Sequence, residues 1–347
     1  MKMIIWNITC VFMLLAIQVQ GQKIIAKVAL DGTSTFYQKI DSAIYYASAG
    51  DFIYLPGGNF NIGNLIIDKN VTIIGAGHYP DSTLATGITF LNGNIKITDA
   101  ASNGSLSGIY LSGNLYYGTS AINQAVQNYT IQYCNLNGVY LSFDGVSYNA
   151  NSMNTNFSYN IVRGLFNGGD ARDLYIRNNI IVGGGYYHLY FITSAEVSNN
   201  IFLDGVFNDY VTGTIFQNNI FYDYMGGNAT PNTSSNNIYM NNIYVGGALT
   251  QGGNGALIVS NNHQMNASDI FMNQAGNLFS YTSNYHLQTG VNGVLMGLDN
   301  TEVGVYGTLN PYKDGALPLN PHIQFKQIGS TTTPNGMINV DIKVNAQ

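Results

Sequence analysis

One short phrase recurs along the middle of the chain and limits what it can fold into. Between Thr130 and Met265 an apolar-polar alternation leads to a residue pair, usually Asn-Asn, and an apolar residue follows. The copies are Tyr133-Cys134-Asn135-Leu136, Ser158-Tyr159-Asn160-Ile161, Arg177-Asn178-Asn179-Ile180, Ser198-Asn199-Asn200-Ile201, Gln217-Asn218-Asn219-Ile220, Met240-Asn241-Asn242-Ile243 and Ser260-Asn261-Asn262-His263. Counted on the last Asn, the spacings are 25, 19, 21, 19, 23 and 20 residues. That is the period of a solenoid. Units this short hold two or three strands and no helix, so a crossover of a dozen or more residues has no room. The chain must climb by one strand spacing, about 4.8 Å, per turn, each strand pairing in parallel with its counterparts above and below.

The large apolar residue three before each anchoring Asn (Phe157, Ile176, Val197, Phe216, Tyr239, Val259) and the one after it are expected to face the core. A second inward position is read three beyond the anchor, at Val182, Leu203, Tyr222, Val245 and Met265. The anchors Asn135, Asn160, Asn179, Asn200, Asn219, Asn242 and Asn262 are expected to form one ladder. Asn tolerates the left-handed backbone of a sharp bend, and stacked amides satisfy polar groups that a tight corner leaves unpaired. Asn-rich text also suits a disordered stalk, but 46% of the residues are apolar and they stay in phase with the Asn.

The ends differ from the middle. Residues 1–21 read as a secretory signal peptide, with Lys2, an apolar run from Ile4 to Ile17 and a cut between Gly21 and Gln22. Cleavage leaves no membrane-spanning stretch in the mature chain, which is then exported to the extracellular or outer-membrane surface. A first strand is expected over Ile24 to Leu30. Thr35 and Gln38 have capping-box spacing, and Phe36, Ile40, Ile44 and Ala47 follow at helical period. A helix there covers the apolar end of the first coil. After Met265, Asn277-Leu278-Phe279 and Asn284-Tyr285-His286-Leu287 are read as the last coils. Residues 308–347 then form an extended, β-rich cap or appendage with a turn at Asn335-Gly336, or alternatively a docking or export signal.

Taken together, Ile44 to Gly57 with Ile73-Ile74-Gly75-Ala76-Gly77, the Asn-Asn-Ile coils, and Asn284-Tyr285-His286-Leu287 with Val303-Gly304-Val305-Tyr306-Gly307 carry a family resemblance. Over residues 36–307 the chain resembles the right-handed parallel β-helix proteins of the pectate-lyase-like superfamily, especially secreted ones from Bacteroidota. The fold class implied is all-β: a right-handed, single-stranded parallel β-helix with an N-terminal capping helix, over residues 22–307. The resemblance leaves activity open, because this fold hosts lyases, hydrolases, epimerases and adhesins. The Gly-His-Gly of the pectin hydrolases and the Asp-Pro-His-Glu of the alginate epimerases are both missing from the sequence.

Chemistry has few places to sit. With 12 basic against 18 acidic residues the formal charge is −6, so nothing favours a nucleic-acid backbone. All three Arg fall close together, and Arg163, Asp170, Arg172, Asp173 and Arg177 are the candidate catalytic set of a lyase acting on acidic polysaccharide. The plainer reading of the same residues is solvated ion pairs at a bend, and the catalytic set belongs to the alternative reading. Asp204, Asp209 and Asp223 on successive coils are candidate oxygen ligands for Ca²⁺. Tyr175, Tyr186, Tyr187, His188, Tyr190 and Tyr210 are the candidate ligand-binding residues, since rings stacked along a shaft offer a sugar an apolar face edged with hydroxyls. Cys134, the one Cys outside the leader, reads as a corner filler and no disulfide framework is possible. The sequence thus reads first as a binding scaffold for a polysaccharide or a surface protein, and second as a carbohydrate-active enzyme.

Overall fold

In a computed structural model the described residues are 23–345, except 120–121, 146–148, 150, 184–186, 206, 225–233, 251–254, 275, 293–296, 316–317 and 320. The leader expected at residues 1–21 lies outside them. The chain winds into a parallel β-solenoid of about nine turns. One column of strands shows how the coils stack. Ile53, Ile73, Leu106, Ile131, Phe157, Ile176, Val197, Phe216, Tyr239 and Val259 are successive parallel partners. All but the last are 1% exposed or less. At about 1.5–3 kcal/mol per buried side chain, this column is a principal source of the fold's stability.

The Asn ladder stands at one corner of each coil. Asn160, Asn179, Asn200, Asn219 and Asn242 are fully buried. Each donates from Nδ2 to Oδ1 of the next, at 3.2, 2.9, 3.0, 3.0 and 2.8 Å, the last acceptor being Asn262. The same Oδ1 atoms accept the backbone N–H of the Asn one coil earlier, at 2.8–2.9 Å. Asn135 is a correction to the expected series. It pairs with Ile161, one place out of register, and the ladder position in its coil belongs to Cys134, whose N–H donates to Asn160 Oδ1 at 3.0 Å.

A second correction concerns the bend itself. The left-handed residue is the one before the anchor: Tyr133, Tyr159, Asn178, Asn199, Asn218, Asn241 and Asn261 have φ of 51–59°. The Asn-Asn pair therefore divides two tasks that one Asn was expected to perform.

Alternation beyond the corner also runs differently from expectation. Val162, Ile181, Phe202 and Phe221, two past the anchor, join the central core. Ile161, Ile180, Ile201, Ile220 and Ile243 point away from it, as do Val182 and Leu203, yet all are buried. Tyr222, Val245 and Met265 face the same outer cluster. The cover is the chain's own C-terminal segment. Ile270, Phe271, Tyr285, Leu287, Val303, Val305 and Tyr312 close a second apolar cluster over these outward residues. The strands Phe271–Asn273 and Asn284–Leu287 pair only with each other, so they are not further coils.

This strap is tied to the first Asn of the pairs. Asn178 Nδ2 donates to Val305 O and Gly307 O at 2.9 and 3.2 Å, and Asn199 Nδ2 to Gly304 O at 3.3 Å. Asn218 Oδ1 accepts from Leu298 N at 3.1 Å. Gly304 has φ 89°, a conformation strained for any residue with a Cβ, and packs against Ile220.

The strap runs back toward the N-terminal end, where Pro318, Pro321, His322 and Ile323 line a cleft of about 300 Å³ with Ile24, Ala26 and Tyr54. There the strands His322–Thr332 and Ile338–Asn345 form an antiparallel ribbon. Its turn carries Gly336 at φ 75°, as the Asn335-Gly336 signal predicts.

At the N-terminal end Ile25–Val28 pairs antiparallel with Ser34–Tyr37 and with Phe52–Tyr54. The helix is Ile40–Tyr45, shorter than expected, with Ile40, Ala43 and Ile44 buried on the first coils. The Thr35/Gln38 spacing is not a capping box, since Thr35 sits in a strand and Phe36 is 68% exposed. Among the described residues no helix is long and apolar enough to cross a membrane.

Candidate ligand-binding face

The strand Phe166–Arg177 and the one above it, Tyr187–Ser198, each turn a corner and continue on the next face. Ala171, Leu174 and Ile176 point inward, leaving Arg172, Asp173, Tyr175 and Arg177 outside. The acidic residues are explained by the backbone. Asp170 and Asp173 have φ of 64° and 52°, the left-handed region that Asp and Asn enter most readily after Gly. Asp170 accepts the hydroxyl of Thr193 at 2.5 Å and Asp173 that of Ser194 at 2.8 Å, each on the next coil.

The five residues expected as a catalytic set do not meet at one point. Arg177 pairs with Glu196 at 2.7 Å and its guanidinium lies 4.8 Å from the Tyr175 ring centre. Arg163 is turned under the strap, donating from Nε to Asn135 Oδ1 at 2.8 Å and from Nη2 to Leu111 O at 2.5 Å. Its guanidinium also lies over Tyr110, 4.5 Å from the ring centre. Arg172 is exposed.

Arg163 belongs to a buried polar junction that sequence reasoning missed. Tyr281, at the tip of the strap's hairpin, receives Asn135 Nδ2 at 2.7 Å and donates to His78 O at 3.1 Å. Its hydroxyl also lies 3.1 Å from His78 Nδ1. His78 is fully buried, and burial pulls its imidazole from 6.5 to about 3, so it is neutral here. Residues 203 positions apart meet in this junction, a separation at which local pattern carries no signal.

The candidate aromatic residues separate into three groups. Tyr187, Tyr190 and Tyr210 come together on the outer surface, joined by Phe191, which was not singled out. Ring centres lie 4.5 Å apart for Tyr187 and Tyr190, 4.1 Å for Tyr190 and Phe191, and 4.4 Å for Phe191 and Tyr210. Phe191 and Tyr210 occupy left-handed corners with φ of 50° and 54°. Bulky residues are strained in that conformation, which Tyr133 and Tyr159 also adopt at the ladder corner. Tyr175 stands round the corner with Arg177. His188 is a correction: it is fully buried, its ring 5.2 Å from Phe202 and 5.4 Å from Phe221, and burial pulls its imidazole to about 3. Alternation along the strand sends it inward while Tyr187 turns outward. Tyr186 lies outside the described residues.

Beside the aromatic group, Arg172, Thr193 and Thr212 are parallel partners on the outer side and form a polar strip. Asp209 is the parallel partner of Tyr190 on the next coil, and burial raises its carboxyl.

The three expected Ca²⁺ ligands do not converge. Asp204 and Asp223 are close enough for the first to raise the second, after burial, and Asp204 accepts Asn277 Nδ2 at 2.8 Å. Asp209 stands apart on the aromatic side. Among the described residues no group of three or more His, Cys, Asp or Glu side chains is placed to hold a metal. Cys134 is fully buried and its thiol is pushed up to about 12, which suits a corner filler.

No family model matches the chain, and no curated protein or solved structure matches it.

Proposed function

We propose that this chain is an exported, surface-displayed or extracellular β-solenoid of the pectate-lyase-like type whose outer aromatic group binds polysaccharide. The observation that carries the reading is the contiguous cluster of Tyr187, Tyr190, Phe191 and Tyr210 beside the Arg172, Thr193 and Thr212 strip. A pyranose has an apolar face and a rim of hydroxyls. Ring faces cover the first, while guanidinium, hydroxyl and phenol groups bond the second. Tyr210 is 37% exposed, leaving ring surface for a ligand.

Each aromatic contact contributes about 0.5–1.5 kcal/mol, so removing two rings lowers affinity by about fivefold to about a hundredfold. The test is a calorimetric or array screen of neutral and uronate polysaccharides against the full chain and the Tyr190→Ala/Tyr210→Ala double variant. Binding that weakens by this factor supports the reading. Affinity unchanged in the double variant, or no polysaccharide bound by the full chain, overturns it.

A further inference from the structure

Round the corner from the aromatic group, the strap overhangs the coils and leaves a polar cleft that the proposed function does not use. Its floor is a notch in one column of strand residues. Arg177, Ser198 and Gln217 are successive parallel partners, so a short, buried side chain lies between two long ones. Asp299 and Thr308 of the strap form the facing wall, and the cleft encloses about 360 Å³. That lies within the ~300–1,000 Å³ of ordinary ligand sites. Two residues further from the ladder corner, Tyr175, Glu196 and Ile215 are again successive partners. Tyr175 and Ile215 are 40% and 36% exposed, so apolar surface flanks Glu196 on both sides.

The charges in this cleft narrow what it can hold. Its charged residues are Arg177, Glu196 and Asp299, one cation against two carboxylates. The 2.7 Å ion pair of Arg177 with Glu196 holds both side chains in place across two coils. A polyanion would meet the excess carboxylate, and a metal ion would meet the guanidinium. Uncommitted polar groups face neither problem with an uncharged ligand. Among the described residues the Gln217 amide and the Thr308 hydroxyl have no hydrogen-bond partner, and Asp299 uses only Oδ1, on Thr301. Amide and hydroxyl both donate and accept, and the carboxylate accepts. A neutral sugar ring carries the complementary set, hydroxyls that donate and accept around an apolar face.

We infer that this cleft is a second glycan subsite and takes an uncharged sugar unit, with Gln217, Asp299 and Thr308 bonding its hydroxyls. The inference rests on the reading of the chain as a glycan binder and adds to it a site on another face and a preference for neutral sugar.

The cleft is measured alone in the full chain carrying Tyr190→Ala/Tyr210→Ala, where the aromatic group is lost. Calorimetric titration uses neutral hexasaccharides of β-1,4-linked glucose, mannose and xylose, with hexagalacturonate as the charged probe. At least one neutral hexasaccharide is expected to bind, and hexagalacturonate to bind more weakly than it. Adding Gln217→Ala weakens the neutral probe about twofold to tenfold, and adding Asp299→Ala, which removes a charged acceptor, about tenfold to a hundredfold. If Asp299→Ala disturbs the strap by circular dichroism or proteolysis, Asp299→Asn replaces it and is expected to narrow the gap between the neutral and charged probes. Binding of a neutral probe that neither cleft substitution weakens overturns the inference, as does hexagalacturonate bound as tightly as the best neutral probe. No neutral hexasaccharide bound by this variant also overturns it, and the aromatic reading then stands or falls separately on whether polysaccharide binding fell with the two rings.

Discussion

Asn199 and Asn200 are neighbours with different tasks, and substitution separates them. Asn200 is fully buried, accepts two donors from Asn179 and donates to Asn219. Asn200→Ala leaves buried partners unpaired and is expected to cost about 3 kcal/mol in urea denaturation. Asn199 holds a left-handed backbone and ties the strap at Gly304 O, so Asn199→Gly is expected to cost that one hydrogen bond, about 1 kcal/mol, while Asn199→Ala costs about 1–2 kcal/mol more than Gly. Equal losses at both positions would contradict the division.

Titration also belongs to this scale. His78 and His188 are buried neutral, lowered from 6.5 to about 3 by burial. Between those limits the unfolded chain binds protons that the folded chain refuses. Their contribution to stability is complete above about pH 6.5 and is lost as pH falls toward 3. Burial raises Asp209 and Asp223, which gives the opposite sign near the acid end. Over pH 6.5 to 4.5 the urea midpoint is expected to fall, and His78→Asn to flatten that slope by about 1.4 kcal/mol per pH unit. An unchanged slope would show that His78 is already solvated.

Among the elements, the strap decides how much could be read in advance. The coil period was legible because every turn repeats the same demands: an aliphatic or aromatic core residue, a left-handed bend, a ladder amide. Cys134 broke the Asn phrase and moved the apparent anchor to Asn135, one place out of register. Val182 and Leu203 looked inward because strands covered on both faces lose their polar alternation. The second cover is residues 270–312, whose pattern resembles fading coils and whose partners lie many coils away. The aromatic group was legible as Tyr-rich text, but which rings share a face depended on corners at Asp170 and Phe191. Tyr281→Phe removes the hydroxyl that joins Asn135 and His78. It is expected to cost about 2 kcal/mol and to speed proteolytic cleavage within residues 270–287 before the coils are cut. Simultaneous cleavage of strap and coils would mean that the strap does not open separately.

For the whole molecule, the capping helix, the central core and the strap make one ladder-cornered shaft, while the ribbon projects from it with little burial. Stability should follow that division. Hydrogen exchange by mass spectrometry reads it directly. Peptides carrying Asn179, Asn200 and Asn219 are expected to exchange last and together, and those from 322–345 early. Ladder peptides that exchange as fast as the ribbon would contradict the stacked-coil account.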